Sequence, residues 1–271
     1  MLGVQLAYDR CGAGPPLVLL HGAGHRRQGW LPVIDRLAPH REVIFLDFPG
    51  FGESPPLPDH LPYELESAVI VLSEFFASLD LDRPHVAGNS MGGLVSLVLA
   101  QRGMVRSATA LSPAGLWTPI QRRVSLGMVR SVHRTARYMP RKVATRLAQT
   151  AAGRTLLCGV IFGRPDLLEP QVLLEDMRAL TSAVGFGPTL AYGDKITFTG
   201  HVSDVPVTIA WGARDVLMRR PRAESVIRLI PHVRLLRLPG CGHVPMNDNP
   251  DLVAHVLLTG SEPNQRVSST R

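Results

Sequence analysis

The chain has 271 residues, 45% of them hydrophobic and 19% charged, with a formal net charge of +7. That length suits a large domain with a substantial core, and the balance excludes a disordered or fibrous protein. The charge excess is local: residues 114–200 carry 12 Lys/Arg against 5 Asp/Glu, whereas the rest of the chain carries 17 of each sign.

In chain order, "PPLVLLHGAG" (15–24) is an apolar run ending in a glycine turn, the pattern of a buried parallel strand meeting a loop at its carboxyl end. "WLPVIDRLA" has helical spacing, and "REVIFLDFPG" (41–50) repeats the strand pattern. The helical "ELESAVIVLSEFFASL", the strand "PHVAGNS", the helical "MGGLVSLVLAQRG" and the strand "SATALSPAG" follow. Alternation of this kind predicts a mostly parallel sheet covered by helices on both faces.

From about residue 114 to 200 the strand signal gives way to a basic, helix-leaning stretch interrupted by Gly and Pro, as in an inserted cap. "VPVTIAWGARD" (205–215) restores the strand-then-loop pattern, "PHVRLLRLPGCGHVP" supplies a last strand and loop, and "DLVAHVLLTG" a closing helix. The expected organisation is a core of residues 1–113 and 201–260, a helical cap over 114–200 and a flexible polar tail over 261–271. No apolar run reaches the roughly 18 residues of a membrane span, and the first residues lack the basic start and apolar stretch of a secretion signal. A cytoplasmic protein is expected, with Cys11, Cys158 and Cys241 as free thiols because they are few, scattered and odd in number.

Gly88-Asn89-Ser90-Met91-Gly92 matches G-x-S-x-G between a strand and a helix. A sharp turn there pushes the serine outward, and glycines two residues to either side avoid collisions where strand and helix nearly touch. Alone, the motif also fits a tight turn with Ser90 as a helix N-cap. A serine hydroxyl is a poor nucleophile at neutral pH and needs a base, itself oriented by a third group. His243 lies on the loop after the last predicted strand and Asp215 on the loop after the strand before it, giving the order Ser, Asp, His. Taken singly, Asp215 could cap a helix and His243 could be an ordinary loop histidine; all three arriving at carboxyl-end loops have one joint explanation. An oxyanion hole would draw on the backbone N–H of Met91 and of Ala23, the latter in the glycine-flanked "HGAG" loop.

Through "HGAG" (21–24), "DFPGFGES" (47–54), "GNSMGG" (88–93), "GARD" (212–215) and "GCGHVP", the chain resembles the α/β-hydrolase family of serine hydrolases over about residues 15–258. The resemblance implies the α/β-hydrolase fold and structural roles for His21, Asp47, Glu53 and Ser54. Serine at position 90, where haloalkane dehalogenases and epoxide hydrolases carry Asp, argues against those two activities. The expected reaction is cofactor-independent hydrolysis of a small carboxylic ester through an acyl-enzyme. Alternatives are C–C bond hydrolysis, with a cap arginine holding a substrate carboxylate, a lactonase or cofactor-free haloperoxidase on the same triad, and a receptor-like binder with little turnover.

Other motifs point elsewhere only weakly. "HGAGHRRQG" breaks G-x-G-x-x-G with Arg27, and His21 and His25 sit among glycines rather than on the helix that would align them as metal ligands, so neither nucleotide nor metal is expected. Cys241 is assigned to packing. Leu116, Trp117, Met128, Phe162 and Phe186 are candidate apolar pocket lining, though residues of these types more often pack in the core. Residues 91–165 contain no Asp or Glu, and Arg123, Arg130, Arg134 and Arg137 share one helical face while Val124, Met128 and Val132 share another. This basic stripe is either a solvated face over an apolar cap underside or a weak contact for an anionic membrane surface or acidic ligand. Nucleic acid is not expected, since aromatics are few and no reading module occurs.

Overall fold

A computed structural model describes residues 4–262. Among these residues seven strands form one sheet: β1 (Tyr8–Cys11), β2 (Pro16–Leu20), β3 (Glu42–Leu46), β4 (His85–Asn89), β5 (Ser107–Leu111), β6 (Val207–Gly212) and β7 (Arg234–Leu238). Their order is β1-β3-β2-β4-β5-β6-β7, with β1 antiparallel to β3 and every other pairing parallel. The polar edge strand β1 was not foreseen: "YDRC" is short and mostly exposed, so no burial pattern marks it.

The two-residue period of a strand divides the core. Leu17 and Leu19 of β2 face the side covered by α1 (Leu31–Leu37) and α10 (Pro250–Gly260), whereas Val18 and Leu20 face α2 (Leu65–Ser78) and α3 (Met91–Gln101). Helix α3 is apolar all round because it is buried all round, from Gly92 to Ala100. Proline at the first helical position and the Asn249 side chain, which accepts from Leu252 N at 3.1 Å, start α10. Ser261, expected in the tail, is buried instead: its hydroxyl lies 2.8 Å from the Leu257 carbonyl and accepts from Arg41 Nε at 3.1 Å. The rest of that expected tail, 263–271, lies outside the described residues.

Between β5 and β6 the chain is helical: α4 (Pro119–Tyr138), α5 (Arg141–Ala148), α6 (Ala151–Cys158), α7 (Pro170–Ser182) and α8 (Phe186–Gly193). A capping box opens α4, with Gln121 N donating to Thr118 Oγ1 at 3.2 Å and Thr118 N to Gln121 Oε1 at 2.9 Å. Short α9 (Ala223–Leu229) lies between β6 and β7. No helix among the described residues is long and apolar enough to cross a membrane.

Candidate active site

Ser90 is the single residue between β4 and α3. Its backbone sits at φ +56° and ψ −112°, a conformation L-residues rarely adopt, and it is held there from three sides. Ser90 N donates to Leu111 O at 2.9 Å, while Ser90 O accepts from Leu94 N and Ala114 N, both at 3.0 Å. The glycines of the motif are demanded by close approach: a Cβ at Gly88 would meet the Gly92 carbonyl, and one at Gly92 would meet the carbonyls of Leu20 and His21. The structure gives Ser90 no side-chain capping bond, so the N-cap alternative for its hydroxyl lacks support.

Asp215 and His243 come together from the loops after β6 and β7, with His243 Nδ1 2.9 Å from Asp215 Oδ2 and both side chains buried. The other Asp215 oxygen, Oδ1, accepts from Met218 N at 2.8 Å, which fixes the carboxylate. With Nδ1–H donating to Asp215, Nε2 of His243 carries the free lone pair. Ser90 and His243 line one cavity of about 610 Å³, and Ala23 and Met91 border it beside Ser90. The "HGAG" loop abuts the serine: a Cβ at Gly22 would lie 3.2 Å from Ser90 Cβ.

Buried contacts hold that loop. His21 Nδ1–H donates to Gly22 O at 2.7 Å and Nε2 accepts from Phe48 N at 3.0 Å. Both ring nitrogens are thus used by a neutral imidazole, and burial pushes its pKa down to about 4 against the pull of Asp47. The 3.9 Å approach of His21 to Asp47 is therefore not an ion pair. Asp47 accepts from Arg27 N at 2.6 Å, from the Arg27 guanidinium at 2.5 Å and from Glu53 N at 2.9 Å, while Ser54 Oγ donates to Asp47 O at 2.7 Å. Cys241 is buried, and burial pushes its thiol up to about 12, which leaves it un-ionised.

Three contributors escaped the sequence reading. Asn89 Nδ2 donates to His243 O at 2.9 Å and to Leu111 O at 3.1 Å, joining the serine turn to the histidine loop. The Ile161 carbonyl accepts from His243 N at 2.8 Å and Val244 N at 3.1 Å. Asp248 accepts from Gly163 N, Arg164 N and Gly242 N at 2.9, 2.7 and 2.7 Å. An acid five residues after His243 was visible, but two of its three partners, Gly163 and Arg164, come from the segment following α6, which no local pattern reveals.

The wall is largely apolar. Of the five lining candidates, Trp117 and Phe162 border the cavity. Leu116 and Phe186 are buried elsewhere, Phe186 stacked on His133 at 4.5 Å, and Met128 packs against the core instead. No Arg or Lys borders the cavity among the described residues, and Asp176 is its one carboxylate. The cap arginine that the C–C bond alternative would use is therefore absent from the wall among the described residues. Asp176 stands 3.5 Å from Arg26 Nε and 3.8 Å from His25 Nε2, and Glu175 bonds Arg26 at 2.8 Å, so α7 is tied to the loop beside Ser90.

A family model described as the alpha/beta hydrolase family matches residues 17–256. The chain is 31% identical over 251 residues to the dihydrolipoyllysine-residue acetyltransferase component of the acetoin cleaving system of Pseudomonas putida, covering 90% of this chain and 63% of that one. It is 39% identical over 103 residues to a 2-hydroxy-6-oxo-2,4-heptadienoate hydrolase of Pseudomonas putida, 37% of each chain. Among solved structures, that of a bacterial membrane phospholipase A superposes with a TM-score of 0.74 at 25% identity, over 94% of this chain and 82% of that one. Because the matched model spans the sheet from β2 onward and the loops that carry Ser90, Asp215 and His243, this chain belongs to the alpha/beta hydrolase family.

Proposed function

We propose that the protein is a serine hydrolase of uncharged, apolar carboxylic esters. The observation that carries this reading is the shared cavity: a serine on a strained turn and a histidine bound to a buried carboxylate open onto one apolar space. Ser90 Oγ attacks the ester carbonyl while His243 Nε2 takes its proton, and Asp215 holds the imidazole and stabilises the cation that forms. The Met91 and Ala23 amides receive the negative charge on the carbonyl oxygen. The alcohol leaves with the proton from His243, and water activated by the same nitrogen frees the acid and restores Ser90.

A volume of about 610 Å³ falls within the usual range for small-molecule sites, and the aliphatic wall favours an acyl or alcohol chain over a polar group. The wall also weighs against the C–C bond alternative. The partial relative acts, by its name, on an oate, a carboxylate; here that charge would enter a cavity holding Asp176 and, among the described residues, no Arg or Lys as a permanent counter-ion.

The test is to react the protein with a fluorophosphonate, map the adduct, and assay esters of rising acyl length beside a vinylogous diketone acid. An adduct on Ser90 and turnover that rises with chain length are expected. An unlabelled Ser90 with no ester turnover, or preferential cleavage of the diketone acid, overturns the reading.

A further inference from the structure

Helix α4 has three faces rather than two. Its inner face buries Ser125 and Leu126. On the opposite side Ile120, Val124 and Tyr138 are 77%, 56% and 75% exposed. Helical geometry places these three within about 40° of one another, one continuous outward row. Val124, expected on the apolar underside, points outward with them. Arg123, Arg130, Arg134 and Arg137 all lie on one flank of the row, and among the described residues only Arg130 has a carboxylate partner, Asp194 at 2.6 Å. Exposed Ser131 within the row and Thr135 on its other flank border the cavity, as do Thr155 and the 75% exposed Leu156 of α6. Arg141, Lys142 and Arg146 of α5 add exposed cations.

Scattered exposed apolar residues are ordinary. Here, however, large apolar side chains, a flank of arginines and exposed residues that also line the cavity share the outer side of α4, and residues 91–165 contribute no acid to neutralise it. A nucleic acid, or an acidic protein segment without apolar side chains, would use the cations but would leave Ile120 and Tyr138 in water. A fluid anionic interface takes both: headgroups meet the arginines, and the apolar row enters the acyl boundary.

We propose that this outer face docks on the surface of an anionic phospholipid bilayer, and that apolar esters dissolved there enter the cavity between α4 and α6. The second half rests on the ester-hydrolase reading; the first does not. The experiment uses the full chain carrying Ser90→Ala, so that binding is read without turnover. Its flotation is measured with vesicles of phosphatidylcholine alone and of phosphatidylcholine mixed with phosphatidylglycerol. Binding at least about tenfold stronger to the anionic vesicles, weakening as salt rises, is expected. Joint Ile120→Ser, Val124→Ser and Tyr138→Ser should remove most of it, and so should joint Arg134→Glu and Arg137→Glu, with thermal unfolding near that of the parent.

Equal retention on both vesicle types overturns the proposal, as does undiminished binding by the serine variant, which would mean charge attraction alone. In protein with Ser90 intact, the same substitutions should lower the rate on vesicle-borne esters several-fold and leave a water-soluble short ester within about twofold. Intact vesicle binding without any ester turnover overturns the entry step and the ester reading but leaves the docking face standing.

Discussion

Replacing Ser90 by glycine separates the turn from the chemistry. At φ +56° and ψ −112° an L side chain is strained by about 1–3 kcal/mol, a cost that the bonds to Leu94, Leu111 and Ala114 impose on the residue. Glycine removes this cost and gives back about 0.4–1 kcal/mol through the greater freedom of the unfolded chain. The reference is Ser90→Ala, which keeps Cβ at the same φ and also lacks the hydroxyl. The difference is about 1 kcal/mol in favour of Ser90→Gly, or about 2–4 °C in Tm for a chain of this size. Urea unfolding and calorimetry of the two variants read it directly, and neither is expected to turn over an ester. A glycine variant equal to or less stable than the alanine variant would refute the claim that the fold stores strain at this turn.

Asp215→Asn should fold normally and lower kcat about 10³–10⁴-fold, with KM for a short ester little changed. The Met218 amide holds Oδ1, so an asparagine keeping its oxygen there presents NH₂ to His243 Nδ1 and drives the ring proton to Nε2, where the base is needed. Acid stability is set partly by His21 and His85, both pushed down to about 4, chiefly by burial. Below about pH 6.5 the unfolded chain takes up protons that the folded chain refuses, so stability falls from there toward pH 4, by up to about 1.4 kcal/mol per pH unit for each histidine. Stability measured against pH for His85→Gln should show a shallower fall; an unchanged slope contradicts the burial argument. Asp248→Asn replaces one of the two acceptor oxygens by a donor facing backbone N–H groups, and should cost about 2–4 kcal/mol in urea unfolding.

Where a residue's position is set by chain neighbours, sequence was enough to place it. Gly88, Ser90 and Gly92 are local, the strand before Asp215 announces itself by a mostly apolar run that ends in glycine, and the strand before His243 by leucines interrupted by Arg234 and Arg237 and followed by Pro-Gly. In β2 every residue from Leu17 to Leu20 is apolar, so the run itself marks a strand buried on both faces, while the division of Leu17 and Leu19 from Val18 and Leu20 follows from the strand period. Roles set by distant partners stayed hidden: Asp248 means nothing without the amides of Gly163 and Arg164, nor Asn89 without the His243 carbonyl. The cap was legible as helical and basic but not in its facing. Val124, Met128 and Val132 share a period, yet that row turns from solvent to interior along the helix, so spacing alone could not tell lining from surface.

The insertion therefore supports the site as well as covering it. Its Ile161 carbonyl takes the two N–H groups that set the course of the histidine loop, and Asp248 closes the same junction from the other side. Part of the apolar wall and the bonds that hold the His243 loop thus belong to one stretch of polypeptide, within a few residues of Phe162. Movement of α6 that widened the cavity would pull on Ile161 and disturb His243. The outer face of α4 is under no such constraint: Ile120, Val124 and Tyr138 touch neither the base nor the nucleophile. On the proposed functions, surface docking could therefore vary there without altering the chemistry, whereas the segment from Ile161 to Arg164 both borders the cavity and holds the His243 loop.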